Sequence, residues 1–335
     1  MKLTKPTKAK NARRYVLDCL EKNELAQGKY IKLFERKFAR YTGHNHALAV
    51  SNGTMALYCA LKAVGVAGGE VVLPALTFAA TADAVIMAGA RPVFADVDKD
   101  NWCITPKTVL KVITQKTKAI IAVDLYGKIA PVNELKKIGL PVIEDACEGL
   151  GGKIQKGDIT CFSFFGNKVM TAGEGGMCAT DSNDLALKIT KIRNHGRLSG
   201  FWHETQGTNA RMANINAALG LAQLEEFPKN LKWRKEIFDW YGIKDYGAPW
   251  LPYMAVKDNR EAVKRLLGEG VEAREGFRPL YKMPAYEKKI RLPVSEWLGE
   301  HIILLPIFKG LKKSQVKKIC KVLFSRAVME SDYIR

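Results

Sequence analysis

The residue in this sequence best placed for covalent chemistry is a lysine that leaves a strand and enters a glycine loop. Residues 161–176 read CFSFFGNKVMTAGEGG. The run Cys161, Phe162, Ser163, Phe164, Phe165 has the alternation of a strand. It delivers Lys168 into a turn that closes on Gly173, Glu174, Gly175 and Gly176. An amine among apolar side chains loses hydration, which makes its neutral form accessible and lets it form a Schiff base. Taken alone, Lys168 is one of 53 Lys and Arg and could be a solvated cation. Two other places add chemistry. At Ser51, Asn52, Gly53 and Thr54 a strand turns through glycine into a helix, and the free N–H groups at such a helix start suit an anion. Asp145 directly follows Pro141, Val142, Ile143 and Glu144, which places an acid at a strand's carboxyl end.

These positions need a scaffold that brings distant segments together, and the patterning supplies one. Apolar residues at helical spacing predict helices over 11–22 and 31–41, and a short strand over 47–50 precedes the Ser51–Thr54 turn. Strands at 71–73, 92–96, 119–123 and 142–144 then alternate with helices at 80–88, 106–113 and 132–138. Short apolar strands between amphipathic helices imply an α/β fold, a mostly parallel sheet covered on both faces. Beyond the lysine, 177–180 reads as a strand, 184–193 as a helix, 194–208 as a loop, and 212–224 as a helix continuing weakly over 233–240. A βαβ-like pattern starts again at 253–256, 260–267 and 271–274. We therefore expect a large α/β domain over 1–240, including the N-terminal helices, and a smaller C-terminal α+β domain over 241–335.

Composition narrows the function classes. A chain of 335 residues with 47% hydrophobic content can bury a sizeable core. No apolar run approaches the roughly 18 residues of a membrane span, and the start MKLTKPTKAK lacks the apolar stretch of a signal peptide, so a cytoplasmic protein with no membrane association is expected. The cysteines Cys19, Cys59, Cys103, Cys147, Cys161, Cys178 and Cys320 are scattered with no C-x-x-C pair, and His195 and His203 lack a second ligand at metal-binding spacing. Neither disulfides nor a metal site is expected. A formal charge of +19 can signal nucleic-acid binding, but the cations are spread along the chain without a nucleic-acid motif. We read the charge as solubility and attraction of anionic small molecules, with no nucleic-acid partner.

The stretches VSNGTMALYCAL (50–61), LPALTFAATADAVIMAGARPVFADVD (73–98), VIEDACEGLG (142–151), CFSFFGNKVMTAGEGGM (161–177) and GTNARMANINAALGLAQLE (207–225) occur in one order. Together they resemble the fold-type I, pyridoxal-phosphate (PLP)-dependent DegT/StrS-type sugar aminotransferases. Within that family, FFGNK followed by T-x-GEGG and the Trp202-His203 pair look most like the nucleotide-sugar 4-aminotransferases that make perosamine. The resemblance implies that Lys168 carries PLP and moves a proton once freed, and that Asp145 pairs with the pyridine nitrogen. It further implies that Gly53, Thr54 and Ser163 hold the phosphate, that Phe78 stacks on the pyridine face, and that Asn209 reaches the phosphate of a neighbouring subunit in a homodimer with shared active sites. His203 and Arg211 become candidate substrate contacts. The implied reaction moves an amino group from an amino-acid donor, glutamate being the family's usual one, to a nucleotide-linked keto-deoxy sugar such as GDP-4-keto-6-deoxymannose.

Three departures bear on these roles. Glu148 stands where relatives usually have Gln or His near the PLP phenolic oxygen, and two anions there repel unless one is protonated. Ala210 replaces an aromatic residue, and Tyr281 a common histidine. Two alternatives remain at this point: another keto sugar or a deoxygenation on the same fold and cofactor, and a non-enzymatic regulator that binds nucleic acid. Intact Lys168 and Asp145 argue against the second, and relatives that dehydrate carry histidine in place of the lysine.

Overall fold

The computed structural model describes residues 1–324. Seven strands form the main sheet: β1 (His46–Val50), β2 (Glu70–Pro74), β3 (Arg91–Ala95), β4 (Thr117–Val123), β5 (Val142–Asp145), β6 (Ile159–Ser163) and β7 (Gly176–Thr180). Their spatial order is β1-β7-β6-β5-β4-β2-β3. Strands β3, β2, β4, β5 and β6 pair in parallel, and β7 runs antiparallel to both β6 and β1. The sheet is thus mostly parallel, as the alternating pattern implies.

Side-chain alternation explains why these strands are apolar on both faces. Along β4, Ile120 and Ala122 enter one buried cluster with Phe38, Phe162 and Phe164, whereas Ala119, Ile121 and Val123 enter the other with Leu57, Leu61 and Val85. A strand covered on both sides has no polar face. On the first side, Phe34, Phe38, Phe162 and Phe164 pack with ring centroids 5.0 to 5.8 Å apart, which ties helix Lys29–Thr42 to the strand that precedes Lys168.

A second sheet of three short antiparallel strands, β8 (Tyr253–Ala255), β9 (Arg274–Glu275) and β10 (Ile302–Leu304), has the order β8-β10-β9. The amino-terminal residues sit with it: the Ile307 N–H donates to Leu3 O at 2.8 Å and the Leu3 N–H to Glu272 at 3.0 Å.

Several elements differ from the sequence expectation. The helix expected over 106–113 is a single turn, Pro106–Val109, and of the strand expected at 271–274 only Arg274 pairs, in a two-residue strand with Glu275. The weak pattern over 233–240 is the end of a full helix, Phe227–Trp240, whose Pro228 occupies the first turn, where its missing N–H costs nothing. Its polar positions hid it: Arg234 is buried there.

Candidate active site

The parallel strands end at one edge, and their carboxyl ends form the walls of a cavity of about 490 Å³. Ligands in such sheets bind there. Lining it are Asn52, Gly53 and Thr54 after β1, Phe78 and Thr81 after β2, Val123 ending β4, Asp145 ending β5 with Cys147 and Glu148 after it, and Ser163 ending β6 with Asn167 and Lys168 after it. The remaining wall of the cavity is made by Trp250, Leu251, Arg274, Glu275, Phe277 and Leu304.

Local bonding places Lys168. The Phe164 N–H donates to Gly175 O and the Ala172 N–H to Phe164 O, both at 2.8 Å, so the loop between them closes as a tight excursion with Lys168 near its tip. The glycines have a steric purpose: a Cβ on Gly176 would strike the backbone of Asn52, so only glycine lets β7 begin beside the start of helix Gly53–Val64. Asn52 caps that helix by accepting from the Met55 N–H at 2.9 Å. A Cβ on Gly53 would lie 2.9 Å from Ser163 Cβ, which makes the helix start and the end of β6 one continuous cradle.

The charged groups converge in the cavity. Lys168 Nζ lies 3.6 Å from Glu148 Oε1, and its side chain is 15% exposed. Glu148 Oε2 accepts the Tyr126 N–H at 2.9 Å. Burial raises the Glu148 carboxyl to about 7, against the opposing pull of the Lys168 ammonium. Desolvation therefore outweighs the ion pair. Asp145 accepts the Thr81 hydroxyl at 3.1 Å and the Cys147 N–H at 3.2 Å, which fixes its carboxylate. Asn167 Oδ1 is buried without a partner.

Of the residues singled out in the sequence, Lys168, Asp145, Glu148, Gly53, Thr54, Ser163 and Phe78 meet in this cavity, and Phe78 is 61% exposed. The other three do not line it. Asn209 forms an isolated backbone bridge with Asn194, Arg211 donates to Asn194 Oδ1 at 2.8 Å, and His203 Nδ1 lies 2.7 Å from His195 O in an exposed loop. Beside His203, Phe201 and Trp202 are 90% and 79% exposed. Tyr281 is buried against Phe94 and bonded to Glu296, away from the cavity.

Sequence reasoning missed Thr81, Tyr126, Asn167, Trp250 and Arg274. Thr81 and Asn167 lie inside the motif stretches and carried a signal of proximity. Tyr126 is held at φ 55°, rare for an aromatic residue, and nothing in its neighbours announces this. Trp250 sits in a loop without periodicity.

Comparison with known proteins decides the class of this cavity. Residues 6–324 match the DegT/DnrJ/EryC1/StrS aminotransferase family. The chain belongs to that family. Among its relatives, the GDP-perosamine synthase of Vibrio cholerae is 34% identical over 93% of this chain and 95% of its own length. The GDP-perosamine synthase of Escherichia coli O157:H7 is 36% identical over 94% and 95%. The crystal structure of DesI with its TDP-sugar product superposes with a TM-score of 0.90 at 26% identity, covering 96% of this chain and 92% of that one. This member of the family is accordingly a fold-type I sugar aminotransferase, an enzyme rather than a binding protein. Among the described residues, no group of three or more His, Cys, Asp or Glu is arranged to hold a metal ion, and no helix is long and apolar enough to cross a membrane.

Proposed function

We propose that this chain is a PLP-dependent aminotransferase that moves an amino group from glutamate to a keto-deoxy sugar carried on a nucleoside diphosphate, as a cytoplasmic homodimer. The observation that carries this reading is the convergence of Lys168, Glu148 and Asp145 on one cavity with the cradle at Gly53 and Ser163. The cavity fits the cofactor in kind: it offers a glycine-lined helix start for a phosphate, a buried acid for a ring nitrogen, and a buried amide oxygen, Asn167 Oδ1, that lacks a partner. Bound there, PLP would supply an electron sink for deprotonation at carbon.

The chain's own groups then have distinct tasks. The N–H groups of Gly53 and Thr54 and the Ser163 hydroxyl hold the phosphate. Asp145, fixed by Thr81 and the Cys147 N–H, keeps the ring nitrogen protonated. Phe78 covers the ring face. Glu148, with a carboxyl raised to about 7, can stand protonated beside a phenolic oxygen and donate to it, which removes the repulsion between two anions. The Lys168 amine would anchor the cofactor and, when free, hold or move a proton at the reacting carbon of donor or sugar. Arg274, at the cavity wall, adds positive charge for anionic substrates.

The exposed Phe201 and Trp202 support the dimer, because two large apolar side chains standing together in water mark a contact surface. Their loop leads into Asn209 and Arg211, which we assign to the neighbouring subunit's site. The two perosamine synthases favour a GDP-linked 4-keto-6-deoxy sugar. The test is amino transfer from glutamate to GDP-, dTDP- and UDP-linked keto sugars. Turnover is expected fastest with the GDP sugar and lost at least 1000-fold in Lys168→Ala, in line with losing a covalent and proton-transfer group. Equal turnover in Lys168→Ala would overturn the assignment.

A further inference from the structure

Trp250 is 3% exposed, yet its indole N–H has no hydrogen-bond partner. A buried tryptophan ordinarily satisfies that donor. Its orientation is set by its faces instead. One lies 4.4 Å from Lys168 Nζ, at cation–π distance. The ring is also parallel, within 4°, to Tyr126 at 6.5 Å between centroids, and Tyr126 is the residue whose N–H holds Glu148.

The loop that presents this ring is anchored by an unusual group. Arg234, on helix Phe227–Trp240, is 4% exposed, and its Nε has no hydrogen-bond partner. Its Nη1 donates instead to Pro249 O at 3.0 Å and Trp250 O at 2.7 Å. Burial lowers its pKa to about 9, which leaves it charged at neutral pH. From the other side, the Ala248 N–H donates to Gly127 O at 2.7 Å. A buried cation spent on two carbonyls holds the backbone of Trp250 on both sides of its peptide.

We propose that Trp250 is the positioning residue of the Lys168 amine, and that Arg234 holds Trp250 in place. A lysine carries four rotatable bonds, and a pocket that only excluded water would leave its amine to wander. Glu148 alone is an inconstant partner, because its charge changes near neutral pH. The indole face attracts the protonated amine whatever the charge on Glu148, and keeps it in place whenever it is not bonded to the cofactor. The inference takes Lys168 as the reactive amine of the proposed function.

The experiment reads the amine itself, so its outcome is separate from that of the cofactor reading. The full-length protein, stripped of cofactor, is pulse-acetylated with acetic anhydride at neutral pH, and the Lys168 peptide is quantified by mass spectrometry. Lys128, whose amine lies 4.8 Å from the Trp102 ring, is the internal reference: general loosening of the fold would move both lysines. Trp250→Leu is expected to raise Lys168 acetylation about two- to thirty-fold relative to Lys128, the range that a cation–π contact spans. Trp250→Phe keeps an aromatic face and is expected to stay within about twofold of the native protein. Arg234→Met, with the ring intact but its loop released, is expected to fall between them. This third variant keeps the test open if Trp250→Leu does not fold. Unchanged Lys168 acetylation in Trp250→Leu or Arg234→Met, or an equal rise in Trp250→Phe and Trp250→Leu, would overturn the proposal.

Discussion

Glu148 is the residue on which the electrostatics of the cavity turns. Its folded carboxyl titrates at about 7 against an ordinary 4.5, because burial outweighs the nearby ammonium. Between those two pH values the folded protein keeps a proton that the unfolded chain has released. Stability therefore falls as pH rises through this window; the loss is absent below about 4.5 and complete above about 7. Glu148→Gln removes it. The stability of the native protein relative to the variant should drop by about 3 kcal/mol between pH 4.5 and pH 8. Urea unfolding of cofactor-free protein at the two pH values measures the difference, and a gap that stays constant would show that Glu148 is not shifted. That Glu148 departs from the family pattern was legible in the sequence. Its solution was not, since the upward shift comes from burial, offset only in part by Lys168 and by a Tyr126 N–H contributed 22 residues away.

At the level of elements, legibility followed periodicity. The strands of the main sheet are short, apolar and flanked by turns, and their carboxyl ends could be placed with Asp145 and Lys168 before any coordinates. Helix Phe227–Trp240 is legible only in its second half because Pro228, Lys229, Asn230 and Lys232 interrupt the apolar spacing of its first. Arg234 is buried nonetheless, its charge absorbed by two carbonyls of the loop at 249–250. Such a bond joins a helix to an irregular segment and leaves no periodic trace. For the same reason Trp250 passed for part of a boundary loop. The strand β9, with two residues, is set by pairing with β10 rather than by its own pattern.

At the level of the molecule, one chain gathers Gly53, Ser163, Asp145, Glu148 and Lys168 in one cavity, but not Asn209, Arg211 and His203, which lie outside it. If the neighbouring subunit receives them, Lys168→Ala and Asn209→Ala proteins, each weakly active, should regain activity when mixed and allowed to exchange subunits. One of the two sites in each hybrid would then be intact, and recovery should approach about a quarter of native turnover for a random mixture of dimers with shared sites. No recovery despite proven exchange would mean that each chain builds its own site. A formal charge of +19 on the whole chain suits an anionic substrate. All of this depends on the amine at the tip of the loop after β6. The most direct measurement incubates the protein with PLP, reduces it with borohydride, and maps the modified peptide by mass spectrometry. The phosphopyridoxyl group is expected on Lys168 alone, with the visible absorption band abolished by reduction and missing in Lys168→Ala. A chain that takes up no PLP, or carries the group on another lysine, would contradict the account.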